Sequence, residues 1–320
     1  MNAGFESLSA FHDNFQRFNG LTPSAYRALA ADRGFTLTLP RDYPLAYLRR
    51  ALGRDPHSVT ERLAGDTYTA AVRLEDGPSL LTLAISSDEI RVQFTAGSAV
   101  AVHRLVIGLL GLTQDAAGFA RLARKLGLAR LVAARPGLRL SQTHSVFDGL
   151  LWAIIGQQIN FPFACLLKRR LIERTGQPLG DGLIAPPTPE VDAALEPDDL
   201  LPLQFSRQKA DYVVNTSRLI ASGRLDLGAL AGMSGTRAER TLLAIRGLGP
   251  WSVNYLMMRA LGFADCVPLG DTGVTSGLQA LLKLDQRPDI DATRRLMSVF
   301  SPYRSLATAH LWQFTQPSPP

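Results

Sequence analysis

The sequence predicts an α+β protein, with a small antiparallel-sheet domain near the N-terminus followed by an all-helical region. Three observations predict it. Apolar and polar residues alternate with period two between Phe35 and Phe94. From Ala99 onward the apolar positions recur at helical spacing instead. Glycines and capping residues then punctuate that helical pattern at short, regular intervals. The chain divides accordingly into residues 1–34, 35–98 and 99–320.

In the first segment Phe11, Phe15 and Phe18 form one helical stripe, and Gly20 stops it. Four strands follow: Phe35–Leu39, Thr67–Leu74, Leu80–Ile85 and Ile90–Phe94. Glu75-Asp76-Gly77-Pro78 and Ser86-Ser87-Asp88 supply turns, and a helix over Pro44–Leu52 interrupts the series. In the third segment Phe147, Leu150, Leu151, Ile154 and Ile155 line one helical face. Ser206 caps a helix running to Ala221, and Asp291 caps another that holds Leu296 and Val299. Thr315–Pro320 is rich in Pro and Ser and is expected to lack structure.

Composition narrows the classes of function. At 320 residues, 46% hydrophobic and 19% charged, the chain has enough apolar material for packed cores, which excludes disorder over most of its length. Lys plus Arg number 34 against 28 Asp plus Glu, for a formal charge of +6, a balance that favours a polyanionic partner. Only Lys125, Lys168, Lys209 and Lys283 are lysines, so a mechanism built on a reactive amine has four candidates. Cys165 and Cys266 are too few for a four-cysteine zinc site, an iron–sulfur cluster or a disulfide framework, and read as buried thiols in a reducing, cytoplasmic setting. His12, His57, His103, His144 and His310 show no metal-ligand spacing. The longest apolar run, Leu105–Leu112, falls short of the roughly 18 residues a membrane span needs. Residues 1–7 lack the basic and apolar regions of a signal peptide.

The chemistry concentrates in residues 237–274. A helix over Arg237–Ile245 leads to Gly247-Leu248-Gly249, then to Pro250 at the first position of a second helix running through Leu261. Such a turn directs backbone amides outward at a helix N-terminus, where they hold a phosphate without any charged side chain. By itself it also reads as an ordinary helix connection. The loop Asp265-Cys266-Val267-Pro268-Leu269-Gly270 then delivers one carboxylate, Asp271, to the start of another apolar helix. By position alone Asp271 reads as an N-cap. Trp251 and Tyr255 are four apart and share a helical face, a spacing that by itself reads as core packing.

The run L-x-x-I-x-G-L-G-P-W-S-V-x-Y-x-x-M-R from Leu242 to Arg259, with Asp265, Pro268, Asp271 and Gly273 after it, is similar to the helix-hairpin-helix and Gly-Pro-Asp signature of base-excision DNA glycosylases. Ala133–Leu140, Ala153–Ile159 and His310-Leu311-Trp312 resemble the bacterial 3-methyladenine DNA glycosylase II group, a likeness covering about residues 36–315. Gly4–Arg27 resembles the end of an AraC/Ada-type helix-turn-helix, which implies that residues 1–34 are a remnant of that module.

The resemblance implies a two-lobe helical region with its cleft between the lobes. It makes Asp271 the catalytic carboxylate, compatibly with its capping position, and places Trp251, Tyr255, Trp312 and Tyr47 in the pocket for the damaged base. Gln157 and Gln158 are expected to wedge into the duplex, although some relatives carry leucine at the place of Gln158; the residues alone read as a helix end. The amides of Gly247, Leu248 and Gly249, with Arg246 and Arg259, are expected to hold the DNA backbone. Relatives that form a Schiff base carry lysine where this chain has Trp251.

The implied activity is a monofunctional glycosylase. It would excise alkylated purines, 3-methyladenine and related cationic bases, from double-stranded DNA by base flipping and hydrolysis. It would act as a monomer, without membrane attachment or organic cofactor, and the one ion the resemblance allows is a monovalent cation at the hairpin carbonyls. Two alternatives stand beside it: a non-catalytic DNA-binding or regulatory protein, and an oxidised-purine glycosylase and lyase.

Overall fold

The computed structural model describes residues 6–29 and 33–316. Helices α1 (Leu8–Asn19) and α2 (Pro23–Ala28) lead into a sheet layer. It comprises β1 (Gly34–Thr38), α3 (Leu45–Leu52), β2 (Glu61–Ala64), β3 (Thr67–Leu74), β4 (Gly77–Ile85), β5 (Glu89–Phe94) and α4 (Ala99–Leu109). The strands pair antiparallel in the order β1-β5-β4-β3-β2. Alternation dictates the buried face: Ile90, Val92 and Phe94 of β5 and Leu81, Leu83 and Ile85 of β4 point into the core, while Arg91 and Gln93 face out.

The front segment is part of this layer. Gly20 closes α1 in the left-handed conformation, at φ 66°. Leu21 and Leu29 join the sheet's core, and His103 of α4 is 2.7 Å from the Asn19 carbonyl. The expected division at residues 98 and 99 falls between β5 and α4, yet the sheet's core continues through Val102 and Val106 to Leu112. An apolar sheet face needs a covering layer, and α4 supplies it.

Two helical lobes follow. One comprises α5 (Ala116–Lys125) and α6 (Ala129–Ala133) together with three helices from the end of the chain, α15 (Thr272–Leu282), α16 (Ile290–Ser298) and α17 (Arg304–Phe314). The other holds α7 (Val146–Ile155), α8 (Phe161–Thr175), α9 (Pro189–Ala193), α10 (Pro197–Leu200), α11 (Arg207–Ala221), α12 (Leu227–Leu230), α13 (Gly235–Leu243) and α14 (Pro250–Arg259). The chain therefore leaves one lobe at the end of α14 and re-enters the other at α15.

Two expectations need correction. The third segment is not all helical, because β6 (Gln177–Gly180) and β7 (Leu183–Ala185) form an antiparallel ribbon. Its signal was Asp181-Gly182, a pair suited to two successive left-handed residues, and both adopt them at φ 50° and 71°. The ribbon bridges to the sheet layer: Ile184 donates to the Val59 carbonyl, and Arg73 donates to the Pro186 carbonyl. The cap of α16 is Asp289 rather than Asp291. Asp289 accepts the Ala292 amide at 2.7 Å, while Asp291 lies inside the first turn and pairs with Arg294. Both positions suit an acid near a helix N-terminus, so composition alone does not separate them.

Candidate active site

The hairpin between α13 and α14 is shaped by its glycines. Gly247 has φ 98°, and a Cβ there would lie 2.4 Å from the Tyr212 ring, so only glycine fits. Leu248 turns inward and is 5% exposed, anchoring the turn in the lobe's core. Gly249 and Pro250 open α14 with no capping side chain, which leaves the amides of Trp251 and Ser252 available to an anion. Arg246 is exposed beside them.

Gln157 is tied to this hairpin. Its amide donates to the Gly247 carbonyl at 2.8 Å and to Ser252 Oγ at 2.9 Å, so it is already committed within the protein. Gln158 differs: it is exposed and adopts a left-handed φ of 56°, in the turn that follows α7. Lys209 supports that end by donating to the carbonyls of Ile154, Ile155 and Gln157, at 3.3, 2.9 and 2.6 Å. Desolvation there lowers its pKa. Neither Lys209 nor Tyr212 carried a signal in the sequence, because both act through tertiary contacts.

Asp271 caps α15, accepting the Val274 amide on Oδ1 at 3.0 Å. Two indoles from separate helices converge on the same carboxylate: Trp312 Nε1 donates to Oδ1 at 2.8 Å and Trp251 Nε1 to Oδ2 at 3.0 Å. Gly273 makes this possible, since a Cβ on it would lie 2.6 Å from Trp312 Cδ1. Asn254 ties the preceding loop to α14, accepting the Val267 amide and donating to Glu239. Asp265 pins the start of that loop through Arg304, at 2.7 and 2.9 Å. Burial acts to raise the Asp265 pKa, but the Arg304 and Ser301 hydrogen bonds win and hold it below the ordinary value.

These parts surround a cavity of about 560 Å³. Asp271, Trp251, Tyr255, Trp312 and Tyr47 all line it, the last from α3 of the sheet layer. Trp251 and Tyr255 stack with centroids 5.2 Å apart at 23°, and Trp312 lies 6.1 Å from Tyr255. Trp152, which the sequence placed only in a helix, also lines the cavity and donates its indole N–H to the Tyr255 hydroxyl at 3.0 Å. Arg259 is another departure. Expected on the DNA backbone, it instead lines this cavity next to Tyr255, because its place one turn after Tyr255 puts it on the same inward face.

A second, smaller cavity of about 120 Å³ lies behind the first, sharing Arg54, Trp152, Phe161, Tyr255 and Arg259 with it. Several of its polar groups pair with one another. Lys168 pairs with Asp148 at 2.7 Å, and the Tyr68 hydroxyl meets His144 Nε2 at 2.9 Å and also Glu61. Burial alone would lower the Lys168 pKa, but Asp148 and Glu61 raise it, so this amine stays protonated. Cys165 borders this cavity and Cys266 is buried; desolvation pushes their thiols up to about 11 and 12, leaving both unreactive. Among the described residues no His, Cys, Asp and Glu cluster is arranged to hold a metal ion, and no helix is long and apolar enough to cross a membrane.

Residues 151–302 match the model of the HhH-GPD superfamily base excision DNA repair protein. A protein named DNA-3-methyladenine glycosylase from Bacillus subtilis is 28% identical over 289 residues, which is 87% of this chain and 95% of that one. The solved structure of a 3-methyladenine DNA-glycosylase from Archaeoglobus fulgidus superposes with a TM-score of 0.77 at 22% identity, over 88% of this chain and 97% of that one. An 8-oxoguanine glycosylase/lyase from Clostridium acetobutylicum, solved with double-stranded DNA, shares the fold at a TM-score of 0.72 and 16% identity, over 89% and 96% of the two chains. The matched segment contains the glycine hairpin, Trp251, Tyr255 and Asp271, and it forms a domain of the HhH-GPD superfamily of base excision DNA repair proteins.

Proposed function

We propose that this protein is a monofunctional DNA glycosylase that releases alkylated purines from double-stranded DNA by hydrolysis. The observation that carries this reading is the Asp271 carboxylate, held by two indole N–H groups and one amide on the wall of an aromatic cavity. The base leaves with the electron pair of its bond to C1′, and the sugar becomes oxocarbenium-like. A fixed carboxylate beside C1′ stabilises that positive charge and orients the water that adds to it. Because the three donors fix the carboxylate beforehand, little reorganisation is needed as the charge develops.

The damaged nucleotide must leave the stack to reach this point. The cavity, with ring faces from α14, α17 and α3, is of the size that receives small ligands. Exposed Gln158 is the residue positioned to fill the gap left in the duplex. The hairpin amides and Arg246 hold the backbone phosphates, supported from within by Gln157. The cation that the resemblance places at the hairpin carbonyls meets a Gly247 carbonyl already bonded to Gln157, and hydrolysis needs no step through it.

Water rather than an amine is the nucleophile. Trp251 stands where a Schiff-base lysine would be, Lys168 is paired with Asp148, Lys209 is tied to three carbonyls, and Lys283 closes the far end of α15. Lys125 lies in the last turn of α5 and does not line the cavity. Chromatography of bases freed from methylated duplex DNA tests the activity directly, with release of methylated purines expected. Borohydride trapping should yield no covalent adduct. A trapped adduct would replace hydrolysis with a lyase mechanism, and full activity of Asp271→Asn would remove the proposed chemistry altogether.

A further inference from the structure

The turn after α7 is fastened to two other helices. From α11, half-buried Lys209 directs its ammonium at the carbonyls of Ile154, Ile155 and Gln157, so that three N–H groups meet three acceptors. This is the negative end of the α7 dipole, where a cation is favoured. From α14, the hairpin takes up both N–H groups of the Gln157 amide, through the Gly247 carbonyl and Ser252 Oγ. Ser252 donates in turn to the Ala153 carbonyl at 3.3 Å, which ties the start of α14 back to α7. One turn after Lys209, the Tyr212 ring packs against Gly247. Helix α11 therefore braces both loops assigned to the duplex, the turn of Gln158 through Lys209 and the hairpin through Tyr212. The residue that this bracing fixes is Gln158, which follows directly on the gripped Gln157 carbonyl. Its left-handed φ of 56° is disfavoured for any residue with a side chain, and persists only where the surroundings over-determine it.

We infer that Lys209 is a positioning residue for base flipping, which grips the Gln157 carbonyl and so holds Gln158 in the conformation that enters the duplex, at a set distance from the hairpin on the DNA backbone. This rests on the glycosylase reading and deepens it. A wedge ordered before binding spends no binding free energy on ordering itself as the damaged nucleotide swings out. With its three N–H groups occupied, Lys209 has none left for a phosphate, so it acts through Gln158 and not by touching DNA.

The test applies two readouts to the full chain. One is single-turnover release of 7-methylguanine from methylated duplex DNA. The other involves no chemistry: the fluorescence of 2-aminopurine set opposite an abasic-site analogue, which changes when a side chain enters the stack. Gln158→Ala and Lys209→Met should each lower release by about tenfold and diminish the fluorescence change, and Lys209→Arg should recover part of both. The double variant should lose scarcely more than Gln158→Ala alone, because the lysine works through the wedge. Losses that multiply in the double variant overturn the inference, since a merely structural lysine would produce them. Unchanged release in Lys209→Met, or an intact fluorescence change in either single variant, overturns it as well. Affinity for undamaged duplex should stay within about twofold in Lys209→Met, and a larger loss with a weaker salt dependence would make Lys209 a phosphate contact instead. If Lys209→Met does not fold, Lys209→Gln, which keeps a donor without the charge, carries the same cycle. Release of no methylated base by the wild type, with the fluorescence pattern as expected, would refute the glycosylase reading alone.

Discussion

Asp271 and Asp289 begin neighbouring helices of one lobe and are locally almost the same object. Their φ angles are −69° and −68°, and each side chain accepts the amide three residues on, at 3.0 and 2.7 Å. Asp289 stops there and is exposed. Asp271 receives two more donors, from Trp251 on α14 and Trp312 on α17, and faces a cavity. Capping is thus a property of the local chain, whereas the chemical use of a capping carboxylate is set by what distant helices bring to it. Asp192 marks the opposite extreme. It is fully buried with no hydrogen-bond partner on either carboxylate oxygen, and the nearby Thr175 hydroxyl donates instead to the Leu171 carbonyl.

The largest effect should come from Asp271→Asn. Asn still caps a helix, so melting should change little, while base release should fall on the order of a thousandfold or more. Asp289→Asn made in parallel should leave release untouched. Equal losses in both variants would reduce Asp271 to a cap, and binding to an abasic-site duplex separates lost chemistry from lost affinity.

Asp192 should produce the next largest effect, on stability alone. Desolvation raises its carboxyl to about 7, above the ordinary value near 3.9, so between those limits the folded state holds a proton that the unfolded state has released. Stability attributable to this group is therefore full below about pH 4 and lost as pH rises through about 7, by up to about 4 kcal/mol. Asp192→Asn should remove that fall, so that denaturant midpoints of variant and wild type diverge from pH 5 to pH 8. Parallel profiles would mean that the Asp192 carboxylate is satisfied in solution.

Trp312→Phe keeps a ring in the pocket and removes one donor to Asp271. A charge-assisted hydrogen bond contributes about 1.5–3 kcal/mol, so release should fall roughly ten- to a hundredfold, with abasic-DNA affinity retained. Full activity would show that the carboxylate needs no indole to hold it. The smallest effect, about 1 kcal/mol of stability with no change in release, is expected from Asp289→Ala, measured by chemical denaturation.

Much of the fold is legible along the chain. Period-two alternation specifies β5 from Ile90 to Phe94, because one sheet face there is dry and the other wet, and Ser206 with its following pattern specifies α11 to Ala221. The ribbon at Gln177–Ala185 was legible too, in Asp181-Gly182, but its strands are too short to show alternation. The site is less legible. Asp271 and the glycine hairpin stand out through their resemblance to a known signature, whereas the spacing of Trp251 and Tyr255 does not distinguish a pocket from a core. Loop position and charge say nothing of which way a side chain turns, so the bond from Gln157 to the hairpin and the place of Arg259 on the cavity wall were not legible.

The sequence by itself determined the helix starts, the strand alternation, the hairpin that only glycine can make, and the presence of one carboxylate at the head of α15. All of these follow from interactions within a few residues of chain. Only the tertiary structure decided that Trp251 and Trp312 grip that carboxylate, that Tyr47 faces it across a cavity, and that Arg259 lies on the cavity wall. Those arrangements join residues as far apart as Tyr47 and Trp312, and they exist because two helical lobes and a sheet layer bury their apolar faces against one another.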